Sequence, residues 1–133
     1  MPVVVDANIA LAWVMPDEGS AQTDVLLAHA RDDGIVVPTI WTYEMANILA
    51  LGHLRSRITD RGLADAFALL GALPTVAIPD PGVEDLAALA HATGLTAYDA
   101  AYLWVAAKER LPLATLDRQM RDAAIERGIA VLP

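Results

Sequence analysis

The sequence has no cysteine, a single lysine and no long hydrophobic run. Without cysteine the chain can form neither disulfides nor thiolate metal sites, so carboxylates and three histidines are its possible metal ligands. Oxygen ligands of this kind favour hard cations. The longest apolar stretch falls well below the roughly 20 residues that a membrane-spanning helix needs.

Basic residues are also scarce, with nine Lys and Arg against 17 Asp and Glu, which gives a net charge of −8. This balance counts against nonspecific nucleic-acid binding, which rewards a basic surface. Most of the basic residues fall into two clusters: Arg55, Arg57 and Arg61, then Lys108, Arg110, Arg118 and Arg121. All of these except Arg61 are candidates for phosphate contacts, and a solvated rim is the simpler explanation for each. The N-terminal MPVVVDAN lacks the basic segment of a secretory signal, so we expect a cytoplasmic protein.

Hydrophobic residues make up 56% of the 133 positions, which predicts one ordered domain over residues 1–133. Short apolar runs alternate with segments of helical periodicity; the runs are PVVV, IVVP, PTVAIP, LPLAT and IAVLP. Such alternation is typical of parallel sheets with helical crossovers. The predicted fold is α/β, a doubly wound α/β/α sandwich around a central, mainly parallel sheet.

Four acidic residues stand where an apolar run ends or a helix begins: Asp6, Glu44, Asp99 and Asp117. In a sheet of parallel strands the carboxyl ends share one edge, where ligands bind. Two carboxylates about 4 Å apart repel by roughly 4 kcal/mol at an effective dielectric of about 20, so a cluster of acids calls for a cation. We expect a divalent metal there, with these acids as its ligands.

A simpler explanation exists for three of these acids, because an Asp at the start of a helix caps free amides and faces the positive end of the helix dipole. Glu44 is harder to explain in this way, since it lies in an apolar segment without a basic neighbour in sequence. All three histidines, His29, His53 and His91, fall within predicted helices. A metal-activated water is therefore the expected nucleophile rather than one prepared by a histidine base.

Three tryptophans, Trp13, Trp41 and Trp104, could stack on bases, but their apolar neighbours favour core or dimer contacts. Four segments carry a more specific signal: VVVDANIALAWVMPDEGS, WTYEMANIL, GLTAYDAAYLWVA and LATLDRQM. In this order and spacing they resemble a PIN domain, most closely the VapC-type ribonuclease toxins, over essentially the whole chain.

The resemblance implies a magnesium- or manganese-dependent endoribonuclease, the toxin of a type II toxin–antitoxin pair, that forms homodimers and binds a cognate antitoxin protein. Asp6 and Asp99 match the family's principal metal ligands, Glu44 its second acid and Asp117 its fourth. Asn8 and Thr115 match polar positions that would orient carboxylates or waters.

Other functions remain possible at this point. A phosphatase of the haloacid dehalogenase type needs a second Asp where this chain has Asn8, and a phosphorelay receiver needs a strand-end Lys, whereas Lys108 lies in a predicted helix. A metal-dependent DNA nuclease is a further alternative. So is a non-catalytic dimeric PIN-like module that binds a protein partner, in which the acids only cap helices.

Overall fold

A computed structural model of the protein describes residues 1–133 and contains a single five-stranded sheet. The strands are β1 (Val3–Val5), β2 (Ile35–Pro38), β3 (Thr75–Ile78), β4 (Leu113–Ala114) and β5 (Val131–Leu132). The helices are α1 (Ala7–Val14), α2 (Ala21–Asp33), α3 (Ile40–Leu54), α4 (Asp60–Ala72), α5 (Val83–Thr93), α6 (Ala97–Glu109) and α7 (Arg118–Glu126). Each predicted strand and helix is present.

The strand order is β3-β2-β1-β4-β5, and every neighbouring pair is parallel. The predicted doubly wound α/β architecture with a parallel sheet is therefore confirmed. Strand order reverses between β1 and β4, because the chain first builds outward from β1 through β2 to β3 and then returns to the other side of β1. Such a switch point leaves a crevice at the carboxyl ends of its two strands.

The core forms around β1, whose three valines are fully buried, as expected for a central strand covered on both faces. Helix α6 contacts β1, β2 and β4, while α1 contacts α2, α3 and α4. The outer elements are less covered: β3 lies at the sheet edge and α5 has no fully buried residue. None of the helices has both the length and the apolar character that crossing a membrane requires.

Two helix ends show how single residues set the bounds of a helix. Gly34 ends α2 with a φ of +84°, and a Cβ there would lie 2.9 Å from the carbonyl oxygen of Pro74, so only glycine fits without strain. The second is the start of α4. Thr59 is the capping residue, and its hydroxyl accepts a hydrogen bond from the Gly62 amide. Asp60 is instead the first residue of the helix.

Candidate active site

Asp6 lies at the switch point, directly after β1, and it is only 3% exposed. One carboxylate oxygen caps α1 by accepting a hydrogen bond from the Ile9 amide at 3.0 Å. The other accepts a hydrogen bond from the hydroxyl of Thr115 at 2.5 Å. Asp6 therefore caps a helix, as the simpler explanation holds, and is also a buried carboxylate at the sheet edge where ligands bind.

Thr115 connects two of the predicted residues from the end of β4. It is fully buried, and its hydroxyl donates to Asp6 while it accepts a hydrogen bond from the Asp117 amide at 3.0 Å. Asp117 in turn caps α7 by accepting from the Met120 amide at 2.8 Å. The hydroxyl thus fixes the Asp6 carboxylate and the turn that carries Asp117 relative to each other.

Glu44 is half-buried on α3 and accepts a hydrogen bond from the Tyr102 hydroxyl at 2.7 Å. Tyr102 lies on α6 and is 1% exposed. The hydrogen bond supplies the partner that a buried carboxylate needs, and no basic residue does. It also joins α3 to α6, so that the two helices that carry Glu44 and Asp99 are held together by site residues.

Asp99 lies in the first turn of α6, where Thr96 is the capping residue and its hydroxyl accepts a hydrogen bond from the Asp99 amide at 3.1 Å. Asp99 also lines an open cleft of about 560 Å³ together with Glu44. The cleft is within the size range of ligand sites in proteins. Asp99 follows no strand, because α6 comes directly after α5, yet the fold brings it to the same edge as Asp6.

Repulsion links each of the other three acids to Asp99. Burial raises the pKa of Asp6, and the charge of Asp99 raises it further. The pKa of Glu44 is raised by burial and then by Asp99, and that of Asp99 by burial and then by Asp117. Tyr102 also has a raised pKa, chiefly because it is buried and because its proton is hydrogen-bonded to Glu44. Asp99 is therefore the acid that connects the other three.

The donor set suits a hard divalent cation. All four side chains offer carboxylate oxygens, and none of them is paired with Lys, Arg or His. No three His, Asp or Glu side chains converge closely enough to hold an ion among themselves. Magnesium does not require that, because it takes one or two protein carboxylates directly and keeps several waters.

Asn8 and the three histidines differ in how they lie relative to the four acids. Asn8 is exposed, and it affects Asp6 through its backbone, which lowers the pKa of that carboxyl. The histidines lie on helices away from the acids: His29 bonds to the Met1 carbonyl and His53 to Asp60. His91 is exposed on α5.

The tryptophans belong mainly to the packing of the core, as predicted. Trp41 is buried, while Trp13 and Trp104 pack against the core from its margin. Sequence reasoning missed Tyr102. The available signal was its position three residues after Asp99 on a buried helix, since a buried tyrosine hydroxyl normally has a partner.

Comparison with known proteins gives a consistent result. The PIN domain family model matches residues 3–126. Ribonuclease VapC3 of Pyrobaculum aerophilum is 32% identical over 126 residues, which are 92% of this chain and 94% of the relative. The crystal structure of PAE2754 from Pyrobaculum aerophilum superposes with a TM-score of 0.66 at 25% identity, covering 98% of this chain and 83% of that one.

A more distant solved structure, FitAcB from Neisseria gonorrhoeae, has a TM-score of 0.64 at 17% identity and covers 98% and 96% of the two chains. At that identity it supports the fold alone. The family match and the 32% identical relative carry the assignment. This chain belongs to the PIN domain family, in its VapC-type branch.

Proposed function

We propose that the protein is a divalent-metal-dependent endoribonuclease and the toxin of a type II toxin–antitoxin pair. The observation that carries the proposal is the buried Asp6 at the strand switch point, coupled through Asp99 to two further acids without any basic partner. The similarity to Ribonuclease VapC3 supports RNA as the substrate.

In this proposal Asp6 and Asp99 hold Mg²⁺ or Mn²⁺, and Glu44 and Asp117 hold it directly or through water. A bound divalent ion supplies Lewis-acid stabilisation of phosphate charge and lowers the pKa of a coordinated water. Thr115 keeps the Asp6 carboxylate in one orientation, and Tyr102 does the same for Glu44. These hydrogen bonds fix the orientation of the two carboxylates.

The proposed partners are a cognate antitoxin protein and a second copy of this chain. An apolar groove between α3, α4 and the start of β3 supports the first, with walls that include Trp41, Met45, Phe67 and Leu70. Phe67 is 57% exposed, and the Trp41 indole N–H is buried without a hydrogen-bond acceptor. An amphipathic segment of the antitoxin could cover this groove with its apolar face. We also propose a cytoplasmic location, because a toxin that cleaves cellular RNA acts where that RNA is.

The decisive experiment measures cleavage of total RNA and of a matched single-stranded DNA in magnesium, manganese or chelator. We expect metal-dependent cleavage of RNA that is lost in Asp6→Asn and Asp99→Asn. Asp122→Asn is the matched control, because it removes the same charge from an exposed position on α7. Activity of the two site variants at the wild-type level would refute the proposed roles.

The same experiment separates the alternatives. Cleavage of DNA in preference to RNA would establish a metal-dependent DNA nuclease. If neither is cut, calorimetry with magnesium or manganese decides whether the acids bind metal at all. Absence of saturable binding at millimolar metal would favour the non-catalytic, dimeric protein-binding module.

A further inference from the structure

Two tyrosines stand exposed beside the acids. Tyr43 is 73% exposed on α3 and Tyr98 is 63% exposed on α6, and each immediately precedes an acid of the site, Glu44 or Asp99. All four residues line the same cleft. Neither tyrosine hydroxyl makes a hydrogen bond within the chain, whereas that of the neighbouring Tyr102 does. The two rings therefore serve no evident purpose in packing.

The cleft continues past the acids toward cationic side chains. Asn47, one turn after Tyr43 on α3, lines both this cleft and a smaller one of about 190 Å³. Arg55 and Arg57 line the smaller cleft. Arg57 is paired with Glu18 at 3.6 Å, whereas Arg55 forms no ion pair. The surface of these two clefts thus presents, in order, two tyrosine rings with two carboxylates and then the guanidinium of Arg55, which has no ion-pair partner.

We propose that Tyr43 and Tyr98 stack on unpaired bases of the RNA beside the cleavage site, while Arg55 binds a backbone phosphate; this rests on the proposed ribonuclease function. Aromatic side chains hold single-stranded nucleic acid because every base has a face on which a ring can stack. Duplex RNA offers no such face, since its bases are already stacked and its deep groove is narrow. The contacts assigned to Tyr43 and Tyr98 are therefore ones that only an unpaired stretch of the RNA can make.

The test measures RNA affinity and steady-state cleavage separately. Affinity is measured by fluorescence anisotropy with a labelled, unstructured RNA and with the same RNA annealed to its complement, in magnesium and in an Asp6→Asn background. Tyr43→Ala and Tyr98→Ala should each weaken binding of the single strand about tenfold, by the usual loss for one stacked base. Binding of the duplex should be weak and unchanged.

Conservative variants distinguish stacking from a structural role. In the Asp6→Asn background, Tyr43→Phe and Tyr98→Phe should retain the affinity for RNA. Tyr43→Leu and Tyr98→Leu should bind as weakly as the Ala variants, because Leu is apolar but has no ring. In the active protein the Ala variants should raise KM with little change in kcat. Val83→Ala, which truncates an 88% exposed apolar residue on α5, is the control that should change neither.

Arg55 is tested through the salt dependence of binding. Arg55→Gln should reduce the slope of log affinity against log salt by about one, whereas Arg31→Gln on α2 should not change it. Unchanged affinity and KM in the tyrosine variants of a protein that cuts RNA would overturn the stacking proposal and leave the ribonuclease intact. A protein that neither binds nor cuts RNA would overturn the two together. A changed oligomeric state on Tyr43→Ala, measured by light scattering, would assign that ring to a contact between copies and overturn its role here.

Discussion

Replacing Asp99 with Asn should stabilise the metal-free protein and abolish its response to metal. Asp99 is repelled by Asp6, Glu44 and Asp117, and for partly exposed charges each such pair costs about 0.3–0.5 kcal/mol. Relief of the repulsion is therefore worth about 1 kcal/mol. Loss of the favourable interaction between Asp99 and the first turn of α6 offsets about 0.5 kcal/mol. The net gain of about 0.5 kcal/mol should raise Tm by about 2 °C in a protein of this size.

Magnesium should make the wild-type protein more stable than Asp99→Asn, the reverse of their order without metal. At a magnesium concentration about ten times the Kd, the wild-type protein should gain about 1.4 kcal/mol, or roughly 5 °C in Tm, whereas the variant should gain almost nothing. Differential scanning calorimetry in chelator and across a magnesium series measures the two effects, with Asp122→Asn as the charge-matched control. Equal magnesium responses of variant and wild type, or a lower Tm of Asp99→Asn in chelator, would refute the idea of a repulsive, cation-binding cluster.

Three further outcomes are expected. Tyr102→Phe should raise the pKa of Glu44 further, because the hydrogen bond that lowers it is lost, and should shift the pH profile of cleavage upward; an unshifted profile would contradict this. Thr115→Val should cost about 2 kcal/mol of unfolding free energy in urea, since it leaves one carboxylate oxygen of Asp6 and the Asp117 amide without a partner; a loss within error of zero would contradict the role of the hydroxyl. Because the pKa values of Asp6, Glu44 and Asp99 are raised by folding, the folded state binds more protons than the unfolded state between the two sets of pKa values. The stability that these groups contribute is therefore complete below the ordinary carboxyl pKa of about 4, and it is lost as pH rises through their pKa values in the folded state. Urea titrations in chelator should therefore show wild type gaining stability relative to Asp99→Asn as pH falls from 7 toward 5, and a constant difference would show that Asp99 is not perturbed.

The sequence was sufficient for the architecture because the strands are short β-branched runs and the helices between them have clear periodicity and ends. The rule that parallel strands end at one edge accounts for Asp6 after β1 and for Asp117 shortly after β4. Even Asp99, which follows no strand, lies near the others. The helix-capping explanation was also correct for Asp6 and Asp117, so the two explanations were never exclusive.

Other features depended on tertiary packing and could not be predicted. The hydrogen bond between Tyr102 and Glu44 joins residues 58 positions apart, and no local pattern specifies which hydroxyl reaches which carboxylate. The same applies to the exposure of Tyr43 and Tyr98. Both lie on helices with strongly apolar patterns, in which the face that remains uncovered is decided by the neighbouring helices.

The double anchoring of Asp6 restricts how such a site can change. One of its oxygens is committed to the start of α1 and the other to the end of β4, so any longer or shorter side chain would disturb a helix, a strand junction and the turn before α7 at once. Glu44 and Asp99 lie nearer to solvent, so changes there should disturb the fold less. A redesign of the proposed cation site should therefore begin at these two residues and leave Asp6 unaltered.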